Sequence, residues 1–385
     1  MNEREALIAL NRVPGIGAVT VKRMQEAFGS VAAIFDASES DLSRVYGIGP
    51  DRAAGFYRDF RTTRFDDELA RAERLNVKLV TWADAAYPAV LREIADPSLV
   101  LYVAGDPAAL SGTGVAVIGT RQATVYGRET ARRFGFQLAA AGYVVVSGLA
   151  RGIDTEAHRG ALQAKGVTVA VLGGALDCIF PKENEGLARE LAAAGGALVS
   201  EYPFGRQPDR QTFPMRNRIV SGLSRGVVVV EAPLNSGTMI TVGQALDQNR
   251  TVMAVPGRVD SAHAAGCNRL LREGARLVTC ADDVADELQE LLPRPMRRNA
   301  LNAAHPPSEA PAAEARAPQP VLTEDERRVM GLLDEERHVD FLIRSSGLAA
   351  GRVNALLVGL QLRRMLHLLP GGMVKRIERE QARER

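Results

Sequence analysis

GVAVIGTRQATVYGRETARRFGFQLAAAGYVVVSGLARGIDTEAH, residues 114–158, decides the fold. VAVIG (115–119) is a short apolar, β-branched run closed by glycine, YGRETARRFGFQLAAA (126–141) reads as a helix, and YVVVSG (143–148) is a second apolar run of the same kind. A strand followed by a helix and another glycine-closed strand is the unit of a parallel sheet, whose strands are buried on both faces and so lack polar alternation. The unit repeats outward. Comparable runs occur at VKLVTW (77–82), TVAVLG (168–173), ALVSEY (197–202), GVVVVEA (226–232) and TVMAVPG (251–257). The expectation is a doubly wound, mostly parallel α/β sheet of extended Rossmann-like form with right-handed crossovers, filling residues 65–292.

Three further regions flank it. Residues 1–64 read as helical and carry two similar turns, VPGIG (13–17) and VYGIG (45–49), each between helical stretches. Paired Gly-x-Gly turns suit a helix-hairpin-helix or SAM-like domain. Amides at such helix starts can hold a phosphate, and tight helix connections need the same glycines; both readings stand at this point. Residues 293–320 contain seven of the nineteen prolines with no apolar period, the composition of a disordered linker. In residues 321–385, Thr323 and Glu326 have the spacing of a capping box. Two helical stretches follow, near 339–346 and 350–363, and LHLLPGGMVKR (366–376) reads as two strands around a turn. Three helices and a hairpin predict a winged helix, with Arg352, Asn354, Arg363 and Arg364 on its third helix.

Net charge is only +2, so bulk electrostatics does not argue for a polyanion partner and any such affinity must come from local clustering. The three cysteines, Cys178, Cys267 and Cys280, lack C-x-x-C spacing and read as reduced thiols. The histidines show no metal-ligand spacing, so neither a metal nor another cofactor is expected. The start, MNEREALIAL, lacks signal-peptide character, and no run reaches the length of a membrane helix. The expected compartment is the cytoplasm, with no membrane partner.

In a parallel sheet, ligands bind beyond the carboxyl ends of the strands. The loops there are rich in small residues: Gly119-Thr120-Arg121, Gly148 to Asp154, Gly173 to Asp177 followed by Pro181-Lys182-Glu183-Asn184, and Ser236-Gly237-Thr238. Bare amides in such loops form nests for phosphate. Neither the dinucleotide fingerprint G-x-G-x-x-G nor the P-loop is present. The stretch RQPDRQTFPMRNRIVSGLSR (206–225) sets Arg206, Arg210, Arg216, Arg218 and Arg225 against one acid, Asp209, and Arg121, Arg151 and Lys182 lie in neighbouring loops. Many cations around phosphate nests suit a polyanion better than a single nucleotide. Phe213, inside the basic stretch, has two open roles, stacking on an unpaired base or packing in the core. His158 reads as a packing residue rather than a base. Asp154 and Asp177 read as holders of the glycine loops.

GTRQATVYG (119–127), SGLARGIDTEAH (147–158), GGALDCIFPKEN (173–184), SEYPFG (200–205), FPMRNRIVSGLS (213–224), VVEAPLNSGTMIT (229–241), VPG (255–257) and GCNRLLREGA (266–275) together resemble the DNA-processing protein (DprA/Smf) family. Thr120, Thr124 and Phe180 depart mildly from its pattern. The resemblance implies a non-enzymatic protein that binds incoming single-stranded DNA in natural transformation, protects it and loads the RecA recombinase, as a homodimer through the Rossmann domain. Carried over, the pocket uses Gly119, Thr120, Arg121, Lys182, Arg216, Asn217 and Arg218; the loop reading adds Arg151, Phe213, Gly237 and Thr238. A weak double-stranded contact by the N-terminal or winged-helix region is left open. The competing classes are a Rossmann-like nucleotide-processing enzyme, for which Ser236-Gly237-Thr238 resembles the end of a nucleotide-binding loop, and a transcription factor working through the winged helix.

Overall fold

A computed structural model describes residues 1–62, 66–288, 323–333, 337–362, 365–369 and 373–376. The linker expected at 293–320, Arg363, Arg364 and the Pro370-Gly371-Gly372 turn lie outside the described residues. The chain divides into two compact units, within Met1–Ser308 and within Glu309–Arg385.

The first unit opens with α1 (Glu3–Asn11), α2 (Ala18–Phe28), α3 (Glu39–Ser43), α4 (Pro50–Thr62) and α5 (Asp66–Arg74). There follow β1 (Val77–Thr81), α6 (Ala89–Arg92), β2 (Val100–Gly105), β3 (Gly114–Ile118), α7 (Val125–Ala140), β4 (Val144–Ser147), α8 (Ile153–Gln163) and β5 (Thr168–Val171). The unit is completed by α9 (Glu185–Ala193), β6 (Ala197–Ser200), α10 (Thr212–Gly222), β7 (Gly226–Val229), α11 (Gly237–Asp247), β8 (Thr251–Ala254), α12 (Ala265–Arg272), β9 (Arg276–Leu277) and α13 (Ala281–Glu287).

All seven apolar runs form strands of one nine-stranded sheet, in the order β1-β2-β6-β5-β4-β3-β7-β8-β9. From β6 to β9 every pairing is parallel, while β1–β2 and β2–β6 are antiparallel. Alternate residues of one strand feed opposite faces. Val115 and Val117 pack with Phe134 and Leu138 of α7 and Ala157 of α8. Ala116 and Ile118 pack with Ile219 and Val220 of α10 and Val242 of α11. The α7–α8 contact is so close that a methyl at Gly160 would run into the Arg132 carbonyl, which is why glycine stands there.

The N-terminal helices share a hydrophobic core with the antiparallel end of the sheet, where Leu7, Val21 and Ile34 join Val100, Tyr102 and Leu198. Both Gly-x-Gly turns are tight connections with Gly15 and Gly47 at positive φ. The Arg52 guanidinium ties them together by donating to the carbonyls of Gly47 (2.8 Å) and Gly15 (3.3 Å).

The second unit contains α14 (Glu324–Met330), β10 (Arg337–His338), α15 (Val339–Ser346), α16 (Ala350–Leu362), β11 (Leu366–Leu369) and β12 (Met373–Arg376). Its three strands run in the order β10-β12-β11, over a core of Val329, Leu342, Val353 and Val374. Thr323 and Glu326 close the capping box reciprocally. Arg352 is paired with Asp325 of α14 at 3.0 Å, so it is not a free cation on its helix.

Candidate nucleic-acid interface

Strand order reverses between β3 and β7, because β3 connects onward to β4 on one side while β7 lies on the other. The loops leaving the two strands therefore part, and a crevice opens between them. A cleft of about 480 Å³ occupies this place, lined by Gly119 to Gln122, Gly148, Ala150, Asp154, Phe213, Arg216, Asn217 and Ser236 to Thr238 among others. A smaller slot of about 60 Å³ adjoins it, bordered by Arg121, Arg151, Phe180, Pro181, Phe213 and Arg216.

The Gly119–Gln122 wall is fixed from below. The Thr120 N–H donates to the Glu231 carbonyl at 2.7 Å, and Thr120 Oγ1 accepts from the Gln122 N–H at 3.2 Å. This leaves the Arg121 side chain exposed. Its guanidinium carbon lies 5.1 Å from the centroid of the Phe213 ring, a cation–π contact, and among the described residues it has no ion pair. Phe213 is half-buried and also meets Phe180, with ring centroids 5.9 Å apart. Phe180 is 48% exposed. The two rings and Arg121 form an open aromatic–cationic ledge at the mouth of the slot.

The cleft floor is Asp154 and Arg216. Asp154 is buried and accepts from the N–H groups of Gly148 (3.1 Å) and Ala150 (3.3 Å), so it holds the glycine loop. Burial pushes its carboxyl pKa up, and Arg216 partly opposes the shift. Arg216 is 4% exposed and donates to the carbonyls of Gly148 (2.7 Å) and Val171, while its Nε has no hydrogen-bond partner. Burial lowers its pKa to about 10, Asp154 counteracts this, and the nearby Arg121 charge adds to it. Two guanidinium groups thus face one cleft. Opposite them, α11 begins at Gly237 with no side-chain cap from Ser236, so the cleft also receives the positive end of an uncapped helix.

The other expected residues are distributed unequally. Gly119, Thr120, Asn217, Gly237 and Thr238 line the cleft. Arg151 stands at the slot in an exposed pair with Glu183, with NH2 to Oε2 at 3.1 Å. Lys182 is exposed next to the slot's Pro181 and has no ion pair among the described residues. Arg218 does not join them. Its guanidinium is held by Glu201 (2.7 Å) and Asp96 (3.0 Å), with its side chain 12% exposed, and the paired carboxylates raise its pKa against the opposing effect of burial. Arg216 and Arg218 are two residues apart on α10, a spacing that sends side chains to different faces of a helix. The same dispersal affects the rest of the basic stretch: Arg206 pairs with Asp209 and Arg225 with Glu93, which leaves Arg210 as its unpaired exposed cation among the described residues.

His158 is buried, with Nδ1 2.7 Å from Thr168 Oγ1. Because the Thr168 hydroxyl donates to the Val145 carbonyl, the imidazole Nδ1–H is the donor. Burial, aided by the Arg216 charge, lowers its pKa to about 3, and it does not line the cleft. Asp177 accepts from the Gly205 N–H (2.9 Å) and pairs with Arg71 of α5 (2.5 Å). Buried Glu68 of the same helix accepts from the Phe204 N–H, so α5 ties the loops after β5 and β6 together. Among the described residues no group of three or more His, Cys, Asp or Glu is placed to hold a metal ion, and no helix is long and apolar enough to cross a membrane. Sequence reasoning passed over Gln122 and Asn235, which line the cleft, and the exposed ring of Phe180; the signal available for all three was adjacency to the glycine loops.

Known family profiles match each of the three regions of the chain. The family profile of DNA recombination-mediator protein A matches residues 78–289, a SAM-like helix-hairpin-helix tandem matches 7–59, and a DprA winged helix domain matches 310–372. Protein Smf of Synechocystis sp. is 33% identical over 96% of this chain and 98% of its own length. Protein Smf of Escherichia coli is 36% identical over 84% of each chain. Among solved structures, DNA processing protein A from Streptococcus pneumoniae has 33% identity and a TM-score of 0.64, covering 74% of this chain and 98% of its own. DNA processing protein A from Helicobacter pylori, described for its unique single-stranded DNA binding mode, has 31% identity and a TM-score of 0.50, covering 55% of this chain and 96% of its own. A profile covering more than half of the chain, a relative matched nearly end to end and the same order of helical, α/β and winged-helix regions lead to one conclusion: the chain belongs to the DNA recombination-mediator protein A (DprA/Smf) family.

Proposed function

We propose that this chain binds single-stranded DNA in the cleft between β3 and β7, without chemical turnover and without a cofactor. The observation that carries this reading is the pair of guanidinium groups at the switch point, Arg121 exposed and Arg216 buried, facing the uncapped start of α11. A phosphate placed there meets two cations and free backbone N–H groups, which suits an anion. Arg121 and Lys182 carry the phosphate contacts, Arg151 joins them by exchanging its exposed Glu183 pair for a phosphate, and Phe213 with Phe180 offers a face for an unpaired base. Gly119, Thr120, Asn217, Gly237 and Thr238 shape the walls. Arg216 acts from beneath, through its charge. The chain's family supports a cytoplasmic role in which incoming DNA is protected and passed to the RecA recombinase during natural transformation and recombination, by a homodimer formed through the α/β domain.

The reading is tested by equilibrium binding of short single-stranded oligonucleotides to the chain and to Arg121→Ala. Affinity should fall for every sequence alike, because phosphate contacts carry no base information. Release of base or ribose phosphate from nucleoside monophosphates would instead favour the enzymatic alternative.

A further inference from the structure

The carboxyl end of the sheet has a second opening. A cavity of about 600 Å³ lies between the start of α7 and the segment after β8, and is lined by Thr124, Tyr126, Val230, Glu231, Pro256 and Arg258 among others. Its volume is that of a ligand pocket. None of its lining residues lines the cleft between β3 and β7.

The cavity and the first cleft share a wall. The segment 119–122 lines the cleft and Thr124 lines the cavity. Glu231 joins the two: its carbonyl accepts from the Thr120 N–H at 2.7 Å, and its carboxylate accepts from Thr124, Oε2 from the N–H at 3.0 Å and Oε1 from the hydroxyl at 2.6 Å. A strand held at Thr120 and Arg121 therefore has the cavity within reach of a neighbouring nucleotide.

The chemistry of the lining names what would enter. Glu231 is 5% exposed, yet among the described residues it has no ion pair. Each carboxylate oxygen offers about two acceptor positions, and Thr124 fills one on each. A buried carboxylate with spare acceptors and no counter-charge favours a ligand that brings N–H groups. Val230 and Pro256 supply an apolar wall, and Tyr126, 52% exposed, presents an aromatic ring at the edge. Arg258, 83% exposed in its side chain, forms a surface pair with Asp260 that a phosphate can replace at little cost.

We propose that this cavity is a second base pocket for the same DNA strand, in which Tyr126 stacks on the base and Glu231 accepts from an amine-bearing base such as cytosine in preference to thymine. The proposal rests on the single-stranded DNA reading. A carboxylate accepting from the cytosine amine is an established pairing, whereas thymine turns a carbonyl oxygen toward the same position and meets repulsion.

The test is fluorescence anisotropy of the full chain with labelled oligo(dC) and oligo(dT) of equal length. Oligo(dC) should bind about fivefold more tightly or better, the lower end of what one such base contact discriminates. Tyr126→Ala should weaken oligo(dC) by a comparable factor, since stacking on one base is of that order, and Tyr126→Phe should retain it. Glu231→Gln should bring the two oligonucleotides to equal affinity. Because the Glu231 carboxylate also anchors Thr124 at the start of α7, the half-exposed Tyr126 keeps the test valid if that variant misfolds. Equal binding of both oligonucleotides together with unaltered binding by Tyr126→Ala overturns the second pocket, and the first cleft stands if Arg121→Ala still loses affinity. If Arg121→Ala also binds unchanged, both readings fall.

Discussion

Arg218→Met should unfold the chain more easily and leave its DNA affinity alone. Arg218 pairs with Glu201 and Asp96, with 12% of its own side chain exposed against 13% and 36% of theirs. Removing one partner of a buried pair strands the other and costs about 3–5 kcal/mol. Asp96 can be hydrated, and Glu201 also accepts from Ser98 Oγ at 3.3 Å, so the lower end applies, about 3 kcal/mol. In a unit of this size each kcal/mol moves Tm by a little under about 2 °C, so thermal unfolding followed by circular dichroism should show a fall of about 5 °C. Adding Glu201→Gln should recover part of the loss, because the carboxylate left without its cation is then neutral. Single-stranded DNA affinity, measured well below the melting range, should match that of the unaltered chain. A variant with unchanged Tm and markedly weaker DNA binding would show that Arg218 reaches the ligand and that the geometric reasoning is wrong.

Two further predictions address the scaffold. His158, held neutral by burial with a pKa near 3, titrates near 6.5 once unfolded. Below pH ~6.5 the unfolded chain takes up a proton that the folded chain refuses, so this contribution is present above that pH and is lost as pH falls toward 3. From pH 7 to 5 the chain should lose on the order of 2 kcal/mol more stability in urea melts than His158→Gln does. Asp154, whose pKa burial raises, works in the opposite direction in both proteins and cancels in that difference; equal pH slopes would refute the assignment. Gly160→Ala forces a methyl against the Arg132 carbonyl of the neighbouring helix and should cost about 1–3 kcal/mol, seen as a lower denaturation midpoint with an unchanged slope.

Much of this molecule was legible in its sequence, for identifiable reasons. The seven apolar runs became strands because a fully buried parallel strand has nothing polar to obscure its pattern. Strand β2 escaped notice although Val100 to Val103 are fully buried, since its run follows a proline-containing loop and pairs antiparallel rather than within the strand-helix repeat. The two-residue β9 is too short to carry any period. The candidate cleft was legible where its lining is consecutive in the chain, as in Gly119-Thr120-Arg121. It was not legible for the arginines of 206–225, because a linear cluster of charge says nothing about which acids from distant segments meet it. Asp96 lies 122 residues from Arg218, and Glu93 even further from Arg225. The second cavity was invisible for the same reason, since Thr124, Glu231 and Arg258 converge only when three separate strand ends are brought side by side.

The most direct test of the account is the salt dependence of single-stranded DNA binding, compared between the chain and Arg121→Ala. Each phosphate neutralised on a single strand contributes about −0.7 to the slope of log affinity against log salt. Arg121, Lys182 and Arg151 together predict a slope of about −2, and Arg121→Ala should flatten it by about 0.7. A slope near zero, or an identical slope in the variant, would contradict the claim that the rim between β3 and β7 holds the phosphate backbone.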